Sequence, residues 1–200
     1  MAIASEQIRE LRERTGVGML ECKKILEEVG GDLEKAVDAL RKRGYDAMAK
    51  KAARRAAEGL VDSYIHIGGK MGVIVEVNCE TDFVSRNMEF QSFVRDIAMQ
   101  VAAQNPRYLK REEVPEAVVN HEREVLRAQA QTDGKKSPDI EKVIESRLEK
   151  FYSEICLMDQ PFIKDQEKTI RDLTAEFIGK IGENIVIRRF VRFQVGEVSQ

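Results

Sequence analysis

The sequence predicts an α+β protein: a three-helix bundle at the N-terminus, then a small antiparallel sheet packed with helices and a protruding helical hairpin. Three observations predict it. Apolar residues recur at helical spacing through the first 42 or so residues, in three runs broken by glycines. From Leu60 the period changes to two, and it returns to two from Asn184 to Val195. Between those stretches lie long helical patterns, two of them joined by a short polar connection.

Each element has its own signals. Ser5 is placed as the cap of a first helix whose Ile8 and Leu11 share a face until Thr15-Gly16-Val17-Gly18 interrupts it. A second helix runs from about Met19 to Val29 and stops at Gly30-Gly31; Asp32 caps a third carrying Leu33, Ala36, Val37 and Leu40. Three helices this short make a bundle of the ubiquitin-associated type, marginal alone. The stretch from Ala47 to Glu58 is alanine-rich and basic, which predicts a linker helix ending at Gly59. Leu60 to Ile67 and Met71 to Val77 flank Gly68-Gly69-Lys70 as an antiparallel hairpin.

Phe90, Phe93, Val94, Ile97 and Val101 then mark a helix that ends before Asn105-Pro106. Helical patterns over about 115–131 and 139–155 are separated by Thr132-Asp133-Gly134-Lys135-Lys136-Ser137-Pro138, and form an antiparallel hairpin. A last amphipathic helix carries Ile170, Leu173, Phe177, Ile178 and Ile181. In the final strand Ile185, Ile187, Val191, Phe193 and Val195 share one face; Val186, Arg188, Phe190, Arg192 and Gln194 share the other. Phe190 is the oddity, covered either by a neighbouring loop or by a second copy of the chain. The expected organisation is a bundle over 1–44, a basic linker helix over 45–58, and a core domain over 59–200 that includes the hairpin at 115–156.

Two places carry more than fold. The strand Val73 to Val77 runs into Asn78-Cys79-Glu80-Thr81-Asp82-Phe83-Val84, where a carboxylate stands beside a large aromatic. Either Phe83 folds back as a satellite core residue, with Thr81 or Asp82 capping a helix, or the strand presents an apolar wedge to a partner. In the second helix Cys22, Ile25, Leu26 and Val29 define the core face. At 100° per residue Leu20 points nearly opposite and Met19 lies at the edge. Fraying of the first turn explains this, or an exposed apolar pair reserved for a partner.

Four segments, in order, resemble the bacterial elongation factor Ts family. They are Leu11 to Lys24, Asn78 to Val84, Gln160-Pro161-Phe162, and Lys180-Ile181-Gly182-Glu183-Asn184-Ile185. The resemblance implies a guanine-nucleotide exchange factor for elongation factor Tu, engaging it in the GDP-bound and nucleotide-free states. It implies that Thr81, Asp82, Phe83 and Val84 contact the partner near its Mg²⁺ and phosphate site. Arg12, Met19, Leu20 and Lys23 are expected to grip the GTPase domain from the bundle. Longer members have two related core subdomains and this chain has room for one, so a homodimer is the expected state.

Composition narrows the alternatives. Net charge is −2, which gives no global attraction to nucleic acid or anionic membrane. No apolar run approaches a bilayer span, and the opening residues Met1 to Glu6 lack the regions of a signal peptide, so a cytoplasmic protein is expected. Cys22, Cys79 and Cys156 are scattered and read as buried thiols. His66 and His121 stand beside no obvious nucleophile, and no phosphate-binding loop motif occurs. No catalytic residue, metal, cofactor or direct nucleotide site is expected. The main rival is an RNA- or ribosome-binding module using the basic stretch, which lacks interleaved aromatics; a second is an adaptor built on the bundle.

Overall fold

The computed structural model describes residues 3–132 and 137–197. It is α+β as expected, with eight helices and two small sheets among the described residues. The bundle comprises α1 (Ser5–Thr15), α2 (Met19–Glu28) and α3 (Leu33–Lys51). Ile8, Leu11, Cys22, Ile25, Leu26 and Ala36 close its core. Asp32 caps α3 by accepting from the Lys35 N–H at 3.1 Å. At α1 the cap position belongs to Ala4 rather than Ser5: the Gln7 side chain reaches back to the Ala4 N–H at 3.2 Å, and Ser5 is the first helical residue.

The alanine-rich basic stretch does not form a separate helix over 45–58. Its first part continues α3 to Lys51, residues 52–54 turn, and β1 (Glu58–Ile65) begins where the helix was expected to end. Tertiary bonds override helix propensity here. The Arg54 N–H closes a turn onto the Lys51 carbonyl at 2.8 Å, and the Arg54 carbonyl accepts from Asn184 Nδ2 at 2.8 Å.

Beyond β1 come β2 (Met71–Cys79), α4 (Asp82–Ser85), α5 (Met88–Gln104), α6 (Glu116–Thr132), α7 (Ser137–Ile155), β3 (Pro161–Phe162), β4 (Asp165–Thr169), α8 (Ile170–Ile181) and β5 (Val186–Gln194). The main sheet has the order β1-β2-β5. The β3–β4 pair, antiparallel, has no counterpart in the sequence reading. The turn expected between α6 and α7 lies largely outside the described residues.

The chain divides into two compact units, and several elements contribute to both. The first comprises Met1–Val61, Glu76–Phe93 and Arg171–Arg188. Within it, α3 crosses α8 at Gly44, whose added Cβ would stand 3.0 Å from the Ala175 carbonyl oxygen; any side chain would push the helices apart. Phe177 stacks on Phe93 with ring centroids 4.7 Å apart. Lys51 Nζ bonds the Ile178 carbonyl at 3.4 Å. The contacts at Gly44 and Lys51 seat the bundle against α8, and the aromatic stack joins α8 to α5.

The second unit comprises Asp62–Val75, Val94–Ile170 and Arg189–Gln200. Leu126, Ile144 and Leu148 form the seam of the α6–α7 hairpin. Arg111 braces its base: two N–H groups fork onto the Glu149 carboxylate at 2.8 Å each, and Nε meets Asp159 at 3.0 Å. The Gln160 of the Gln160-Pro161-Phe162 segment is buried, its Oε1 accepting from Gln100 Nε2 at 3.1 Å. That segment therefore serves the core of this unit.

The final strand departs from its expected two-residue pattern. Ile185 and Ile187 are buried, but Val191, Phe193 and Val195 are exposed while Phe190 is half-buried. The inward face changes across Arg188 and Arg189, both exposed. The cause lies at Arg192, whose Nε donates to the Ala102 carbonyl at 3.4 Å in the last turn of α5. Carbonyls there have no partner within the helix, and a cation suits that end of the helix. Satisfying them turns Arg192 inward and leaves Val191 and Phe193 on the uncovered face.

Candidate functional site

The loop after β2 begins with a close strand approach. Gly59 on β1 has φ +150° and a Cβ there would lie 2.3 Å from the Val77 carbonyl oxygen, so only glycine lets β1 lie this close to the strand end. Asn78 Nδ2 then donates to the Glu58 carbonyl at 3.2 Å. Cys79 is buried, its Sγ 3.1 Å from the Thr81 carbonyl. Burial, followed by the Glu183 charge, pushes the Cys79 thiol up to about 11. Cys22 and Cys156 are likewise buried free thiols with raised pKa, as expected.

Thr81 is the N-cap of α4, its Oγ1 accepting from the Val84 N–H at 3.5 Å. That cap belongs to the first of the two sequence alternatives, but the folded-back Phe83 that went with it fails: Phe83 is 85% exposed and takes no part in the core. Val84 is half-buried, and Asp82, also half-buried, pairs with Arg86 at 3.0 Å in the free protein. Such an exposed pair contributes little and is easily exchanged for other donors.

Outside the tip, the loop is fastened to the turn after α8. Both Glu183 carboxylate oxygens are used: Oε2 accepts from the Glu80 and Thr81 N–H groups at 3.1 and 3.0 Å, and Oε1 from Thr81 Oγ1 at 2.6 Å. In return Glu80 Oε1 accepts from the Asn184 N–H at 2.6 Å. Glu183 thus caps the backbone at Glu80 and Thr81, and Glu80 caps the backbone at Asn184.

On the bundle, the helical phase argument holds at residue level. Cys22, Ile25 and Leu26 are buried, whereas Met19 is 51% and Leu20 79% exposed within regular α2. Leu20 therefore faces away from the bundle core, and fraying is not needed to explain it. Arg12 and Lys23 are exposed, Lys23 lying 3.8 Å from Glu27. All eight predicted residues, Arg12, Met19, Leu20, Lys23, Thr81, Asp82, Phe83 and Val84, lie in the first compact unit.

The sequence reading missed two features. Met88, at the start of α5, is 82% exposed. The signal was available, because Met88 falls opposite the stripe of Phe90, Phe93, Val94 and Ile97 at 100° per residue. Glu183 had no local signal, since its partners lie about a hundred residues away in the chain. Among the described residues no cluster of three or more His, Cys, Asp or Glu side chains could hold a metal ion, and no helix is long and apolar enough to cross a membrane.

Comparison with known proteins places this arrangement in context. Residues 23–197 match the family model described as elongation factor TS. The chain is 59% identical over 195 residues to elongation factor Ts of Carboxydothermus hydrogenoformans, covering 98% of this chain and 90% of the relative. It is 58% identical to the protein of that name in Thermoanaerobacter sp. strain X514, covering 98% and 96%, and 57% identical to that of Caldanaerobacter subterraneus subsp. tengcongensis, covering 98% of each.

Proposed function

The chain belongs to the elongation factor Ts family of nucleotide exchange factors for elongation factor Tu, and from that premise we propose how this chain promotes GDP release. The carrying observation is Phe83, a large apolar side chain held out in solvent on a fastened loop. Burying a phenylalanine is worth about 1.5–3 kcal/mol, and the free protein forgoes it. Phe83 enters the partner near its Mg²⁺ and phosphate site, where octahedral Mg²⁺ coordination tolerates little displacement. Asp82 leaves Arg86 to accept from donors of the partner, with Thr81 and Val84 flanking it. Met19 and Leu20, with Arg12 and Lys23 around them, form the second foothold, and Met88 extends the apolar surface.

No bond is made or broken by this chain. It binds nucleotide-free elongation factor Tu more tightly than the GDP-bound form, and reciprocity of coupling makes GDP leave faster from the ternary complex. Nothing in that scheme requires the chain itself to bind nucleotide, nucleic acid or membrane, and it acts in the cytoplasm. The functional division at 1–44, 45–58 and 59–200 belongs to the same reading, with α3 running across its first boundary. The experiment is release of a fluorescent GDP analogue from elongation factor Tu with and without this chain; no acceleration overturns it.

The uncovered sheet face supports a homodimer. Ile65, Ile67, Ile74, Val191, Phe193 and Val195 are all exposed in the second unit. Apolar surface of that kind is seldom left bare on a soluble protein. A two-fold contact lets an apolar patch meet its own copy. Phe190, the residue singled out from sequence, faces inward and is not part of that surface.

A further inference from the structure

We propose that Glu183 is the positioning residue of the Asp82–Phe83 tip, holding in place a wedge that it does not itself form; this rests on the exchange reading above. Phe83 makes no core contacts that could orient it, so its direction is set by backbone alone. The backbone of the tip starts at Thr81, and Thr81 is held three ways. Its N–H and its hydroxyl both donate to Glu183, at 3.0 and 2.6 Å, and the same hydroxyl oxygen accepts from the Val84 N–H at 3.5 Å. The carboxylate therefore selects the Thr81 rotamer that caps α4, the single helical turn carrying Asp82 and Phe83.

The clasp closes from both sides. Glu80 accepts from the Asn184 N–H at 2.6 Å and lies 3.5 Å from Arg54, and buried Asn184 returns to the Arg54 carbonyl at 2.8 Å. Its anchor is firm, because α8 leads directly into Glu183 and is itself seated on α3 at Gly44 and Tyr45. Hydrogen bonds to an ionised acceptor are about twice as strong as neutral ones, which suits a clasp that must hold a tip bearing no packing of its own. A wedge fixed before encounter avoids the ordering cost of binding, and misplacement of a working group by about 1 Å can cost on the order of a hundredfold.

The test compares Glu183→Ala, Glu183→Gln, Phe83→Ala and the Glu183→Ala/Phe83→Ala double variant. Readouts are GDP release from elongation factor Tu, thermal melts, and amide hydrogen exchange in the free protein. Glu183→Ala should slow release by about tenfold or more while its amides at Thr81 and Val84 exchange faster. Glu183→Gln, whose amide can still accept from the backbone and donate to Thr81 Oγ1, should recover part of that loss. In the Phe83→Ala background, Glu183→Ala should cost much less than it does in the parent, because the wedge is gone and only Asp82 and its neighbours remain to be aimed. Multiplying penalties, or a Glu183→Ala protein that exchanges as the parent does, overturns the positioning role. Should the parent itself fail to accelerate GDP release, the exchange reading falls, and unchanged amide protection in Glu183→Ala would then sink the clasp separately.

Discussion

The Tyr45 hydroxyl donates to the Asp172 carboxylate at 2.7 Å, which Arg41 Nε also meets at 2.9 Å. This joins α3 to α8 one residue from the Gly44 crossing, with Asp172 almost wholly buried. Burial, then the bond to Asp172 and its charge, pushes the Tyr45 phenol from 10.0 up to about 12. A folded pKa above the unfolded one means the neutral phenol is favoured by folding. Its stabilisation is complete below pH 10 and drains away as pH rises from 10 toward 12. At most roughly 2 kcal/mol is at stake, since Tyr45 is only partly buried. Melts between pH 9 and 12 should show a loss of stability in the parent that is smaller in Tyr45→Phe; parallel curves would remove Tyr45 from this role.

Phe83→Ala should leave the melting temperature unchanged, because the side chain is almost fully exposed in the free protein. In the complex, truncating such an aromatic anchor costs roughly 2–4 kcal/mol, or about a 30-fold or greater loss in exchange efficiency. A lowered melting temperature with normal exchange would show that Phe83 supports the fold and not the partner.

Leu20→Ala and Ile25→Ala should separate cleanly. Ile25 is buried in the bundle core, and its truncation should destabilise by about 2–4 kcal/mol. Leu20→Ala should weaken binding to elongation factor Tu with little effect on the melt. Equal destabilisation by both variants would contradict the orientation of α2.

For the dimer, light scattering over a concentration series is decisive. The parent should scatter as twice 22.8 kDa and Phe193→Asp as a monomer of normal stability, since the variant places a charge on the apolar contact. Phe190→Asp should instead lower stability, because its site is half-buried within the chain. A parent that remains at 22.8 kDa throughout refutes the sheet-face contact.

Local pattern was enough for much of this protein. The 3.6-residue stripe told Ile25 and Leu26 from Leu20, the two-residue period found β2, and turn chemistry placed Asp32 at its cap, all because these are decided within a few residues. The family segments carried the remainder of the functional reading, including the loop at Thr81 to Val84. Where local preference met distant partners, the pattern failed. Alanine and basic residues favour helix through residue 58, yet the chain leaves the helix at Ala52, where bonds among Lys51, Arg54 and Asn184 hold a turn. Strict alternation places Val191 and Phe193 inward, yet the Ala102 carbonyl draws Arg192 in and exposes them. Glu183 stood within a family segment with no role of its own until folding brought it to Thr81. The sequence alone determined most of the helices, the three strands of the main sheet and which of their faces are apolar, because those preferences are short-range. Only the tertiary structure decided which face is covered and what holds the loop, because both depend on hydrogen-bonding groups that meet across some ninety to a hundred and thirty residues.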